Sequence, residues 1–292
     1  MNLHGSRFAD RIAVVSGGAD GMGAACVAQL AAEGAHVFVL DVKDDMARSL
    51  ADRLLAGGAQ VEVLRADVLQ EDEFRGALAQ VVDRAGHVDV LINIAGGSAQ
   101  GLIADIDLSV WDRLYRLNVR STLIACRAVL PSMRARRRGS IVNMASISGL
   151  RGDPDWAAYN AAKSAIISLT QSLAWEEGQY GVRVNAICPG PIASERMLAT
   201  ISKAELEEYN EACAIGRIGT ATELAEAILF LASDQASFVT GACLVADGGL
   251  TARTGQPTRF DHLRREAIRK ARSEARGLRR AAASADGSEE RR

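Results

Sequence analysis

Three observations predict a doubly wound α/β domain with a seven-stranded parallel sheet and helices on both faces. Strand-like and helix-like runs alternate from residue 11 to about 250. The strand-like runs are continuously apolar, as expected of strands buried on both faces. The segments that carry recognisable chemistry follow the strands, where open parallel sheets bind ligands.

The elements follow in order. Arg11–Ser16 is a short β-branched run, and Gly21–Gly34 a helix that stops at glycine. Ala35–Asp41 is the second strand, Asp44–Ala56 a helix ended by Gly57-Gly58, Val61–Arg65 the third strand and Glu71–Ala85 the third helix. Val88–Asn93 is the fourth strand. Leu108–Arg137 reads as helix with a break near its middle, and Gly139–Met144 is the fifth strand. Asp155–Gln179 is a long helix, Val182–Ile187 the sixth strand, Ser202–Cys213 and Thr222–Ser233 two more helices, and Ala242–Val245 the seventh strand. Right-handed crossovers wind such a pattern into a doubly wound sheet. Residues 1–250 are read as one catalytic domain and 251–292 as a basic C-terminal extension.

The first strand runs into Ser16-Gly17-Gly18-Ala19-Asp20-Gly21-Met22-Gly23 and then a helix. Gly17 permits a tight turn, Gly21 lets backbone amides approach a pyrophosphate, and Gly23 lets the helix sit close to the strand. The helix N-terminus offers free amides and partial positive charge to an anion. This is the dinucleotide-binding turn of a Rossmann-type fold. Asp41, at the end of the second strand, follows Gly17 by 24 residues, a distance suited to accepting hydrogen bonds from the adenosine ribose. Its charge also repels a 2′-phosphate: at ~5 Å and an effective dielectric of ~20, each unit of like charge costs about 3 kcal/mol before screening. Asp20 adds a second negative charge near the same pocket, and Lys43 is read as facing solvent. NAD(H) is therefore expected over NADP(H).

A hydride moving between a carbinol carbon and nicotinamide requires a general acid/base at the alcohol oxygen. Tyr159 and Lys163, four residues apart on a helix, share one face. A lysine ammonium ~5 Å away favours phenolate by about 3 kcal/mol, enough to bring a phenol from near ~10 toward a working range.

These motifs, in this order, resemble the short-chain dehydrogenase/reductase family, over residues 8 to about 250. Beyond the glycine turn, Asp67-Val68 looks like the family's adenine-holding pair. Asn93-Ile94-Ala95-Gly96 looks like its Asn-Asn-Ala-Gly segment, with Ile94 in place of the second Asn. Asn118 falls at the helix-kink asparagine, Ser146 follows the fifth strand, and Tyr159-Asn160-Ala161-Ala162-Lys163 matches the Tyr-x-x-x-Lys signature. Pro189-Gly190 and Asp247-Gly248-Gly249 follow the last two strands. The resemblance implies a hydroxyl of Ser146 on the substrate oxygen, Lys163 on the nicotinamide ribose, and Asn118 on a water that relays the proton. It also implies that Ile192 and Ser194 pass along the nicotinamide, that segment 195–213 is a mobile lid, and that the chain is a homotetramer.

Gly97–Leu102, Gly149–Trp156, and Met197, Leu198 and Tyr209 of the lid are expected to shape the substrate pocket. Trp156 and the lid apolars favour a hydrophobic or cyclic alcohol or ketone, while Arg151 and Arg196 are open either to solvent or to a substrate anion. The rival readings are an NADPH-dependent 3-oxoacyl-thioester reductase, a non-catalytic dinucleotide-binding scaffold, and a partner-binding protein acting through its tail.

Composition excludes little more. Hydrophobic residues make up 48% and charged residues 24% of 292, with a net charge of −2, ordinary for a globular protein. A chain of this size needs no disulfide or metal staple. Residues 251–292 hold 12 Lys/Arg and 6 Asp/Glu, leaving a net −8 on the remainder. Phe260, Leu263, Ala267, Ala271, Ala275 and Leu278 form a thin helical stripe in that tail. No nucleic-acid or membrane partner is expected. Five widely spaced cysteines are read as free, largely buried thiols of a reducing compartment, the cytoplasm. Met1–Asp10 is short and polar, without a leader pattern. No metal ligand set is assigned, and His4, His36, His87 and His262 are given no catalytic role.

Overall fold

A computed structural model describes residues 6–254 and residues 267, 270 and 274. Its elements are β1 (Ile12–Ser16), α1 (Gly21–Ala32), β2 (His36–Asp41), α2 (Asp44–Ala56), β3 (Gln60–Arg65), α3 (Glu71–Ala85) and β4 (Val90–Asn93). These are followed by α4 (Leu108–Tyr115), a π-turn over Arg116–Arg120, α5 (Ser121–Arg136), β5 (Gly139–Met144), α6 (Ala157–Glu177) and β6 (Val182–Pro189). The chain continues through β7 (Ile192–Ala193), α7 (Glu195–Thr200), α8 (Lys203–Ala212), β8 (Gly219–Thr220), α9 (Ala221–Ala232) and β9 (Cys243–Ala246).

The seven-stranded sheet has the order β3-β2-β1-β4-β5-β6-β9 and every pairing is parallel. Successive side chains enter opposite layers. Ala13 and Val15 of β1 pack with Cys26, Val27 and Leu30 of α1 and Leu224 and Ile228 of α9, whereas Val14 packs with Phe74 of α3 and Ile124 and Val129 of α5. Strands buried on both faces thus read as unbroken apolar runs. The order reverses between β1 and β4, which opens a crevice beyond their carboxyl ends.

The break expected within 108–137 is the π-turn. The sixth strand runs on to Pro189, two residues past its expected end, because its last residues pair with Val245 and Ala246 of β9. The two-residue pair β7–β8 was not foreseen; it is too short for any periodicity. Capping boxes of Ser202 with Glu205 and Thr220 with Glu223 start α8 and α9.

The chain groups into two compact units. The sheet, its covering helices and α7 belong to the first. The second contains Ile201–Ile218, hence α8, and the described residues from Gly248 on. Within the second unit, Ile215 N–H donates to the Gly248 carbonyl and Ile218 N–H to Asn210. The tail stripe lies outside the described residues except for Ala267, which is helical. Among the described residues no helix is long and apolar enough to cross a membrane. The cysteines are free thiols, four buried and Cys243 half-buried.

Candidate active site

The turn after β1 is built on glycine for steric reasons. Gly17 has φ +79°, and a Cβ there would lie 2.6 Å from the Ala95 nitrogen; one on Gly23 would lie 1.9 Å from the Gly17 carbonyl oxygen. Asp20 is the N-cap of α1, yet its side chain makes no capping bond. The first-turn amides of Gly21, Met22 and Gly23 therefore face an open cleft of about 520 Å³, within the usual range for small-molecule sites. Asp41, Asp67, Val68, Ala95, Gly96 and Ser194 line the same cleft.

Asp41 is 9% exposed. One oxygen accepts from Ala19 N–H and the other from Lys43 N–H, both at 2.9 Å, so the carboxylate clamps the glycine turn to β2. Lys43 faces solvent as expected, and its ammonium also pairs with Asp20 at 2.5 Å. A flexible four-carbon stem lets it reach back across the turn. Asp20 is thus paired with a cation, and Asp41, Asp67 and Glu195 carry the cleft's remaining negative charge. Asp67 accepts from Leu69 N–H at 2.9 Å, shaping the bend that presents Val68.

Asn93 also differs from its expected place at the cofactor. It is 4% exposed and points into the fold, donating to Asn143 Oδ1 at 2.9 Å, while Asn143 donates to Thr170 Oγ1 of α6 at 3.0 Å. The following residues do reach the cleft, and the Ile94 and Ala95 amides bond Ser16. Asn118 lies in the π-turn, fully buried. Its amide nitrogen donates to the carbonyls of Gly97 and Leu114 at 2.9 Å, and its oxygen accepts from Gly97 N–H at 3.3 Å. The side chain braces the loop after β4 instead of standing open to a water. A Cβ on Gly96 would lie 2.6 Å from that oxygen, which accounts for the glycine.

On the neighbouring strand, β5 leads into Ser146. Its extended backbone and its hydroxyl, which accepts from Ser148 N–H at 3.1 Å, start a 3₁₀ turn over Ile147–Gly149. A Cβ on Gly149 would lie 2.8 Å from the Lys163 carbonyl carbon; glycine lets this turn lie flat on α6. The packing brings the Ser146 hydroxyl near enough to the Tyr159 phenol to favour its ionised form. Lys163 is 4% exposed, its ammonium donates to the Met144 carbonyl at 2.8 Å, and it sits 5.6 Å from the centre of the Tyr159 ring.

The electrostatics run against the simple expectation for the tyrosine. Burial pushes the Tyr159 phenol above its ordinary value, the Ser146 hydroxyl opposes this, and the Asp153 carboxylate adds to the rise. Burial also lowers Lys163 to about 8, with nearby Cys188 acting slightly the other way. Desolvation is the leading cause for both groups. Asp153 was not singled out as an influence on the phenol; it bonds the Ser148 hydroxyl at 2.5 Å, and only the fold of the loop brings it near Tyr159. Trp156 meets the Tyr159 ring edge-on at 6.0 Å.

Pro189 ends β6, and Gly190 lies against Asp247, 2.6 Å from its Cβ if a side chain were added. Ile192 pairs with Gly219. Ser194 uses its hydroxyl to accept from Met197 N–H at 3.2 Å, starting α7. Arg113 and Leu117, from α4 and the π-turn, also wall the cleft; their i, i+4 spacing puts them on one helix face, the signal that would have found them. Arg151 donates to the Leu150 carbonyl. Leu102 and Leu198 are exposed, as is Tyr209 in the second unit. His36 and His87 pair with Glu62 and Asp89, away from the site, and His4 and His262 lie outside the described residues.

A family model described as enoyl-(acyl carrier protein) reductase matches residues 17–251. 2-(S)-hydroxypropyl-CoM dehydrogenase 3 of Xanthobacter autotrophicus is 38% identical over 252 residues, covering 85% of this chain and 99% of that protein. Cyclopentanol dehydrogenase of a Comamonas species is 36% identical, covering 84% and 99%. Among solved structures, that of gox2181 aligns with a TM-score of 0.82 at 33% identity, covering 87% of this chain and all of the other.

Proposed function

This chain belongs to the short-chain dehydrogenase/reductase family, and from that premise we propose that it is an NAD(H)-dependent oxidoreductase interconverting a secondary alcohol and a ketone, with Tyr159 as general acid/base. The observation that carries this reading is the convergence of Ser146, Tyr159 and a buried Lys163 at the carboxyl edge of β5, beside the strand whose end walls the cleft. The relatives named above as dehydrogenases of hydroxylated substrates support the reaction class.

The residues fit a dinucleotide. Gly21 has open space where its Cβ would stand, with only the Ser194 Cβ at 3.9 Å, so a pyrophosphate can approach the α1 amides there, while Gly17 and Gly23 let the turn pack on the Ala95 backbone and the Gly17 carbonyl, where any Cβ would clash. Asp41 suits the ribose hydroxyls, Asp67 and Val68 the adenine, and Ile192 and Ser194 the nicotinamide side. Once bound, NAD(H) supplies the hydride acceptor or donor. In oxidation, the Tyr159 phenolate takes the proton from the alcohol oxygen; in reduction, the phenol returns it. The Ser146 hydroxyl donates to the substrate oxygen and steadies its developing charge. Lys163 holds the ribose and, as a cation, favours the phenolate. Asn118 serves the proton path by fixing the loop and π-turn beside it.

The site works in a reducing, cytoplasmic setting and in a homotetramer; Trp175 and Phe238, 89% and 102% exposed, support burial between subunits. Light scattering of the purified protein tests the assembly. The reaction is tested with a panel of secondary alcohols and ketones, followed by NADH absorbance. Turnover of cyclic or short-chain alcohols with NAD⁺ is expected. Preference for NADPH and 3-oxoacyl thioesters selects the rival reductase, and dinucleotide binding without turnover of any of them selects the scaffold.

A further inference from the structure

The amino ends of the strands, at the opposite edge of the sheet, enclose a second cavity of about 310 Å³. Arginines dominate its polar lining. Arg183 is committed to the fold: it donates to the Leu231 and Ser233 carbonyls at 2.8 and 2.9 Å and to the Ser140 hydroxyl at 3.0 Å, closing the end of α9. Arg11 and Arg138 are different. They come from separate segments, before β1 and before β5, and converge on a single oxygen of Asp234 at 2.7 and 2.8 Å. Among the described residues neither guanidinium has another hydrogen-bond acceptor. The nearest other carboxylate, Asp89, stands 3.9 Å from Arg11 and is engaged by Ile12 N–H and His87.

We propose that this cleft binds a phosphate monoester, with Arg11 and Arg138 gripping the phosphate and Asp234 as the protein's own, displaceable stand-in. Counting Asp89, which stands 3.9 Å from both Arg11 and Arg136, three guanidinium groups face two carboxylates, and the positive charge left over, with that released when Asp234 swings away, balances a dianion. The planar forks of arginine match phosphate oxygens in pairs. The Arg11 side chain is 15% exposed and so held in place, whereas that of Asp234 is 71% exposed and free to swing away, since an exposed ion pair holds weakly. The cavity exceeds a bare phosphate and admits a small organic group. The inference needs neither the hydride chemistry nor the cofactor.

The test is calorimetric titration of the full-length protein with phenyl phosphate and, separately, inorganic phosphate, at constant ionic strength, with and without NADH. Phenyl phosphate is expected to bind, more tightly than inorganic phosphate, and to keep binding when NADH is present. Arg138→Ala, at an exposed position, should weaken it at least about fivefold and Asp234→Asn tighten it about threefold, changes expected from losing a charge-assisted pair and from losing a competing carboxylate. Matching melting temperatures for the variants and the wild type guard against misfolding. Binding abolished by NADH assigns the phosphate to the glycine turn and overturns the proposal. Equal affinity in the wild type and both variants marks an adventitious ion only and overturns it as well; inorganic phosphate binding as tightly as phenyl phosphate overturns the monoester assignment.

Discussion

Replacing Asp41 with asparagine should erase most of the discrimination against a 2′-phosphorylated dinucleotide. The carboxylate is 9% exposed and held from both sides by Ala19 and Lys43 amides, so it cannot turn away from an incoming phosphate. At ~5 Å and an effective dielectric of ~20, its repulsion of each unit of phosphate charge is about 3 kcal/mol. Asp20 would double the opposing charge, but its ion pair with Lys43 cancels it. Salt screening reduces the net to about 1.5–3 kcal/mol, a ten- to hundredfold preference for NADH. The assay is direct titration of NADH and NADPH by fluorescence, which needs no substrate. In Asp41→Asn the ratio of dissociation constants should fall by that factor, chiefly through tighter NADPH binding. Because asparagine cannot accept from both amides, one clamp is lost and the melting temperature drops by a few degrees, at a cost of about 1 kcal/mol. Equal affinity of the wild type for both dinucleotides, or an unchanged ratio in the variant, refutes the reasoning.

Other consequences are measurable in the same preparations. Tyr159→Phe should lower turnover at least about a thousandfold, in line with loss of a general acid/base, with NADH affinity within a factor of about three; near-normal activity would remove the tyrosine from the mechanism. Gly23→Ala, whose Cβ would stand 1.9 Å from a backbone oxygen, should cost about 3 kcal/mol or more in stability and abolish dinucleotide binding, as read by thermal unfolding and titration. Lys163 has its folded value lowered to about 8 from 10.5, so the unfolded chain holds more protons between those values and wild-type stability gains as pH rises through that window. Relative to Lys163→Met, the wild type should therefore gain up to roughly 3 kcal/mol between pH 8 and pH 10.5, read as the difference in melting temperature; a flat difference contradicts the buried ammonium. Asn93→Ala should destabilise by about 1–3 kcal/mol by leaving Asn143 short of a partner, with NADH affinity nearly unchanged.

What the sequence reveals depends on whether a residue's task is local. Gly17, Gly21 and Gly23 are legible because turn, close approach and helix packing are satisfied within a few residues, and Tyr159 and Lys163 because one helical turn aligns them. The sheet is legible because buried parallel strands leave continuous apolar runs. Asn93 is not: in a strand buried on both faces, neither pattern nor polarity says which layer a side chain enters, and its partner Asn143, which in turn bonds Thr170, is 50 residues away in the chain. The pairing of the exposed Lys43 with Asp20 is not legible either, because it depends on where a turn folds back. The height of the Tyr159 phenol was misjudged for a related reason: desolvation is set by the packing around Ser146 and α6, which no spacing encodes.

The hydrogen bonds from Asn143 to Thr170, from Lys163 to Met144 and from the Ser164 hydroxyl to the Gly149 carbonyl fix the register of α6 against β5 and the turn after it. Tyr159 and Lys163 consequently keep their positions by reference to β5 and the turn that follows it. Within segments 97–102 and 149–156, the positions open to change are those other than Gly97, held by Asn118, and Gly149, Asp153 and Trp156, which meet the Lys163 backbone, the Ser148 hydroxyl and the Tyr159 ring. Substitution at those open positions is expected to leave the alignment of Tyr159 and Lys163 intact.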